Sequence, residues 1–149
     1  MASLFFLAWI CFFPDKDEQP GFTIQIQNLL NDHSPVCIAI YRREDKFPGN
    51  TSYLKRIVAR PDHAYYLTVS ENELKEGFYA IACFQDVNQN DKLDKNLFGI
   101  PTEPYGFSND FRPKFKAPSF DQCKFLVDPD HTTVKIKIGK YTLGKQSAY

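Results

Sequence analysis

Apolar and polar residues alternate along most of this chain. A period of two commits a segment to a half-buried strand, because successive side chains leave a strand on opposite faces. In "TIQIQNL", Ile24 and Ile26 share one face while Gln25 and Gln27 share the other. After the turn residues "NDHSP", the run "VCIAIYRRE" repeats the pattern with Val36, Ile38 and Ile40. "RIVAR" and "AYYLTVS" follow, broken at Pro61-Asp62, and the second is rich in residues that suit a pleated surface. "FYAIACFQ" is the most continuous apolar strand and is expected at the centre of a sheet. "QCKFLV", the turn "DPDH" and "TTVKIKI" predict a closing hairpin, with Val134, Ile136 and Ile138 inward and Lys135 and Lys137 in water.

Helical pattern is scarce. "ENELKEG" reads either as one helical turn ending at Gly77 or as a loop. About seven short strands without a long helix predict an all-β fold, a single antiparallel β-sandwich. From Asp86 to Phe120 the strands give way to one long loop rich in Asn, Asp, Pro and aromatic residues. The 149 residues suit one domain with a real core, expected over residues 21–149.

The first twenty residues read differently. "LFFLAWICFF", Leu4 to Phe13, is too short to span a bilayer as a helix but matches the apolar region of a secretory signal. The alternative is a buried N-terminal strand. The signal reading assigns residues 1–20 to a processed segment and the domain to an exported location: periplasmic, outer-envelope or extracellular. Export would permit disulfides, and the domain carries Cys37, Cys83 and Cys123. An odd number cannot all pair internally. Cys37 and Cys83 either bridge neighbouring strands or pack as small side chains.

Lys plus Arg and Asp plus Glu balance at 18 each, so there is no basic excess of the kind a dedicated nucleic-acid partner requires. No transmembrane span is expected. No G-x-S-x-G elbow, Gly-rich phosphate loop or H-E-x-x-H is present, and the expectation is that the protein is not an enzyme.

The stretch most pointed in its chemistry is "FQDVNQNDKLDKN", which sets three Asp and three Asn around a single Leu. Asp86, Asn88 and Asn90 fall at alternate positions, followed by Lys92 and Asp94. Alternate oxygen-bearing side chains in a tight loop can converge on Ca²⁺, which takes six to eight oxygens at about 2.3–2.6 Å. Asp86, Asn88 and Asn90 match the first, third and fifth positions of an EF-hand loop. Lys92 stands where a main-chain carbonyl serves, and Asp94 stands at the ninth. A true EF-hand is excluded: Asp91 replaces the turn glycine, Leu97 replaces the bidentate Glu, and "LFGIPTEP" cannot form the exiting helix. A helix-free calcium loop completed by Asp94 or by Glu103 stays open. So does a purely structural turn, since Asn and Asp bond to nearby backbone without any ion.

"PYGFSNDFRPKFKAPSF" interleaves Tyr105, Phe107, Phe111, Phe115 and Phe120 with Arg112, Lys114 and Lys116. Exposed aromatics beside cations could stack on a sugar or a peptide, which gives a carbohydrate- or peptide-binding reading of residues 105–120. The other reading folds this segment back to plug an edge or end of the sandwich, with its lysines reaching solvent.

Taken together, "FYAIACFQDVNQNDKLDKNLFGIPTEPYGFSND" and "PKFKAPSFDQCKF" closely resemble the secreted bacterial family catalogued as domain of unknown function 2141. The resemblance rests on Tyr79-Ala80-Ile81, Asp86 to Asp94, Gly99-Ile100-Pro101, Glu103 to Asn109 and Pro118 to Phe120, and runs from about Phe22 to Ile138. It implies a small exported β-sandwich of transthyretin-like or immunoglobulin-like appearance and supplies no activity. That family usually carries Gly where this chain has Gln89 and Asp91. The resulting expectation is a non-enzymatic accessory or binding module of the cell envelope, with an envelope protein or a glycan as its partner.

Overall fold

The computed structural model describes residues 21–49, 51–61, 65–114, 116–142 and 145–146. The expected signal segment over residues 1–20 lies outside them, as does Phe115. Two sheets face one another. In the first, β1 (Phe22–Gln27) lies between β4 (Tyr66–Glu71) and β8 (Thr133–Lys137). In the second, β3 (Lys55–Ala59), β2 (Val36–Tyr41), β5 (Gly77–Gln85) and β6 (Tyr105–Phe107) follow in that order, and β7 (Phe125–Val127) pairs with the start of β5. β9 (Tyr141–Thr142) and β10 (Lys145–Gln146) form a small separate hairpin. The helical content described is a 3-10 turn at Ser108–Asp110 and one helix, α1 (Phe120–Cys123). The fold is the all-β sandwich that the alternation predicts, and β5 is central.

Three details depart from the sequence reading. Among the described residues the strands pair antiparallel except at one pair, where β1 and β8 run parallel with Ile24 opposite Val134 and Ile26 opposite Ile136. That exception has the same cause as the second departure, the missing closing hairpin. The turn itself forms, with the His131 N–H donating to the Asp128 carbonyl at 3.1 Å. Its two arms, however, enter different sheets: β7 joins β5 and β8 joins β1. The turn is a corner between sheets, so β8 arrives beside β1 in the same direction. Third, residues 72–76 form no helix. The buried Glu71 carboxylate accepts the Glu73 N–H at 2.9 Å, and the Lys55 ammonium binds both acids, at 2.9 Å to Glu71 and 2.6 Å to Glu73. A local side-chain acceptor has captured the backbone that a helix would need.

The main core fills the space between the sheets. Ile24, Ile26, Leu67, Val134 and Ile136 of the first pack with Val36, Ile38, Ile40, Ile81 and Cys83 of the second. Each fully buried aliphatic side chain here contributes about 1.5–3 kcal/mol of transfer free energy. Gly106 lies where β6 approaches β8 most closely. A Cβ on it would sit 2.8 Å from the Lys137 carbonyl oxygen and 3.1 Å from the methyls of Ile136 and Ile138.

The second sheet is covered on its other face as well. Ala80 and Ala82 of β5 are small, and Phe107, Phe111 and Phe120 lie over them with Phe47. The Phe47 ring meets Phe107 edge-on at 5.9 Å and Phe120 at 6.4 Å. Where β6 ends, the buried Ser108 hydroxyl continues the ladder: it accepts the Ile81 N–H at 2.9 Å and donates to the Cys123 carbonyl at 2.5 Å.

Candidate metal centre

β5 ends in Gln85 and is followed at once by Asp86, two adjacent polar residues that alternation sends to opposite faces. Gln85, fully buried, holds the β1–β2 connection: its Oε1 accepts the Leu30 N–H at 2.6 Å, and its Nε2 donates to the Asn31 carbonyl at 2.8 Å. Asp86, 1% exposed, holds the loop that follows. Its two carboxylate oxygens accept the main-chain N–H groups of Asn90, at 3.1 Å, and Asp91, at 2.8 Å. This wraps residues 86–91 tightly around one carboxylate.

Glu103, 5% exposed, closes the loop from its far end, accepting Val87 N–H at 2.7 Å and Asp94 N–H at 3.3 Å. Asp94 receives the Asn88 amide at 2.6 Å and the Asn90 amide at 3.1 Å on each oxygen. Asn90 Oδ1 in turn accepts the Lys92 N–H at 2.9 Å. The lone Leu93 packs into the aromatic layer over the second sheet and ties the loop to it. Asp86, Asn88, Asn90, Lys92, Asp94 and Glu103 are therefore joined in one hydrogen-bonded loop. The two Asn NH₂ groups are turned onto Asp94.

Two carboxylates in this loop are buried and accept only main-chain N–H bonds. Among the described residues neither Asp86 nor Glu103 has an ion-pair partner. A carboxylate offers about four lone-pair sites, so each keeps capacity for a further partner. Asp94, the two Asn side chains and the Lys92 carbonyl add further oxygens to the loop, but Asp86, Asp94 and Glu103 do not bring one oxygen each within 4.8 Å of one another.

A second group of potential ligands lies on the other side of Asp86. One atom each of Cys37, Asp86 and Asp91 falls within 4.8 Å of the others, the one such His, Cys, Asp or Glu cluster among the described residues. Asp94 and Glu103 are not part of it. That position is served by a guanidinium: Arg56 Nη2 reaches Asp91 Oδ1 at 3.1 Å and Cys37 Sγ at 3.4 Å. Burial pushes the Cys37 thiol above its ordinary value despite Arg56, so it stays protonated and is a poor ligand. Arg56 is held above its own ordinary value, chiefly by its hydrogen bond to Asp91.

Arg60 makes a matching contact, donating to the His33 carbonyl at 3.1 Å and to Gln89 Oε1 at 3.3 Å. Gln89 and Asp91 are the non-glycine residues of this loop with positive φ, 59° and 62°. Both positions demand the left-handed conformation that glycine adopts most readily. Here each bears a longer side chain gripped by an arginine from β3 or its end. The sequence reading did not single out Arg56 or Arg60. Their signal is the spacing in "RIVAR", which sets Arg56, Val58 and Arg60 on one face.

The aromatic residues considered for ligand binding are placed otherwise. Tyr105 and Phe107 are 7% and 8% exposed, and Phe111 is half-buried, all within the layer over the second sheet. Tyr105 and Phe107 meet edge-on at 5.9 Å, and Phe107 also meets Phe47 at 5.9 Å. A Cys37–Cys83 bridge does not form. Cys83 pairs with Ile38 and Cys37 with Phe84, so the two thiols leave opposite faces, and all three described cysteines are free.

The profile of a family described as uncharacterized protein conserved in bacteria (DUF2141) matches residues 24–135. The chain belongs to that family. The DUF2141 match runs from β1 into β8 and takes in the whole 86–103 loop. Neither a curated protein nor a solved structure matches the chain. No helix among the described residues is long and apolar enough to cross a membrane.

Proposed function

We propose that this protein is a non-enzymatic, exported accessory or binding module of the cell envelope whose 86–103 loop is built around one structural Ca²⁺. The observation that carries the calcium reading is the pair of buried carboxylates, Asp86 and Glu103, in one loop without a cationic partner among the described residues. Burying a charge is costly unless it is paired, and an oxygen-only donor set selects a hard cation to pair it. Asp86, Asp94 and Glu103 would supply charge, and Asn88, Asn90 and the Lys92 carbonyl would supply neutral oxygens once the Asn amides turn. When bound, the ion supplies no reaction chemistry; it neutralises the loop and fixes it to the end of β5.

Thermal melting in excess Ca²⁺ against chelator tests this. A site held at a hundred times its dissociation constant adds about 2.7 kcal/mol, which raises the melting temperature by several degrees. The rise is expected in the wild-type chain and lost in Asp86→Ala. Equal melting of the wild-type chain in both conditions would remove the calcium reading and leave a structural turn.

A further inference from the structure

Beyond the candidate ligands the chain makes a second, sharper turn. Asn96 organises it: its side-chain oxygen accepts Phe98 N–H at 2.9 Å and Ile100 N–H at 3.0 Å. Its main chain donates to Ile100 O and accepts from Gly99 N, both at 2.9 Å. Gly99 takes φ +77° and Lys95 bridges to Pro101, so the turn is tied at tip and base. What this rigid turn displays is apolar. Leu97 is 102% exposed and Phe98 is 87% exposed, the two most exposed large apolar side chains described.

The charges around this tip are sorted. The acids of the segment are engaged: exposed Asp91 pairs with Arg56, half-buried Asp94 holds the Asn amides, and Glu103 is buried. Lys92 and Lys95 are exposed and, among the described residues, lack an ion-pair partner. The tip therefore offers two large apolar side chains flanked by cations. Two protruding side chains are too little for a stable protein interface, which needs about 800 Å² on each partner. An apolar point with lysines behind it matches the boundary between lipid headgroups and acyl chains, where apolar burial and attraction to anionic lipid add.

We propose that the 95–101 turn is a membrane-docking tip that seats Leu97 and Phe98 in an anionic bilayer surface, with Lys92 and Lys95 on headgroup phosphates. The turn is held by its own hydrogen bonds, so docking stands apart from whether the neighbouring loop holds calcium.

The test is sedimentation of the full chain with vesicles of phosphatidylglycerol in phosphatidylcholine, against phosphatidylcholine alone, in chelator and in calcium. The expected result is binding to the anionic vesicles in both conditions. It should fall roughly a hundredfold in Leu97→Ser/Phe98→Ser, since each side chain buried is worth about a factor of ten or more. The apolar run Leu4–Phe13 is common to both proteins, so the difference belongs to the tip. Melting temperature should not move, because both side chains stand in solvent. Lys92→Glu/Lys95→Glu should abolish the preference for anionic over neutral vesicles. Failure to bind the anionic vesicles, or binding equal in wild type and the Leu97/Phe98 variant, would overturn the proposal. Docking in chelator from a chain whose melting ignores calcium would support the tip while removing the calcium reading.

Discussion

Replacing Gln89 with glycine should stabilise this protein, although it removes a hydrogen bond. Gln89 sits at φ 59°, where an L-residue with a side chain costs roughly 1–2 kcal/mol relative to the right-handed region. Glycine relieves that cost. Against it stands the extra freedom glycine gives the unfolded chain, about 0.4–1 kcal/mol. The hydrogen bond to Arg60 that disappears is 3.3 Å long and joins exposed side chains, so it is worth no more than a few tenths of a kcal/mol, roughly, when water replaces it. The balance favours Gln89→Gly by about 0.5 kcal/mol. Asp91→Gly makes the informative contrast. Its φ of 62° is similar, but Asp tolerates this region better and the substitution also removes its pair with Arg56. A pair this exposed contributes about 0–1 kcal/mol, so Asp91→Gly should be neutral or slightly destabilising. Urea unfolding at equal m-value resolves both through the midpoint. Destabilisation by Gln89→Gly, or a larger gain from Asp91→Gly, would refute the reasoning that backbone strain outweighs the arginine bonds.

Gln85→Leu keeps the volume of a buried side chain but strips the partners from Leu30 N–H and the Asn31 carbonyl. It should cost about 2–4 kcal/mol in urea unfolding and speed hydrogen exchange at the Leu30 amide; an unchanged midpoint would contradict the pinning role. The thiols give a chemical prediction. Burial pushes Cys123 up to about 12 and raises Cys37 and Cys83 as well, so a thiolate-seeking reagent near pH 8 should label these three slowly until the protein unfolds. Fast labelling of any of them in the native state, traced by peptide mapping, would contradict their burial.

Much of the fold was legible because alternation carries strand position and burial together. Ile24, Ile26, Ile38, Ile40, Val134 and Ile136 all face the core as their spacing implies. Pairing partners are not legible, since a strand's own sequence does not say which sheet it joins; hence the turn at 128–131 carries the signal of a hairpin and is a corner. The candidate loop was legible as a spacing of oxygens. Its burial was not: Asp86 and Glu103 are 17 positions apart, and only the return of the chain along β5 brings both under one loop. The arginine grip was equally hidden, because Arg56 and Arg60 come from a strand that precedes the loop by some thirty residues. The aromatic segment reads as display or as cover from its sequence; Phe107, Phe111 and Phe120 pack with Ala80 and Ala82, whose small size leaves room for rings.

The central claim is that the 86–103 loop completes itself with one calcium ion. Calorimetric titration of the wild-type chain with Ca²⁺, then with Mg²⁺, and of Asp86→Ala with Ca²⁺, tests it most directly. One Ca²⁺ site per chain is expected, lost in Asp86→Ala, with weaker response to Mg²⁺ because that ion demands a tighter octahedral shell at about 2.0–2.1 Å. Absence of saturable binding by the wild-type chain, or binding that survives Asp86→Ala unchanged, would contradict it.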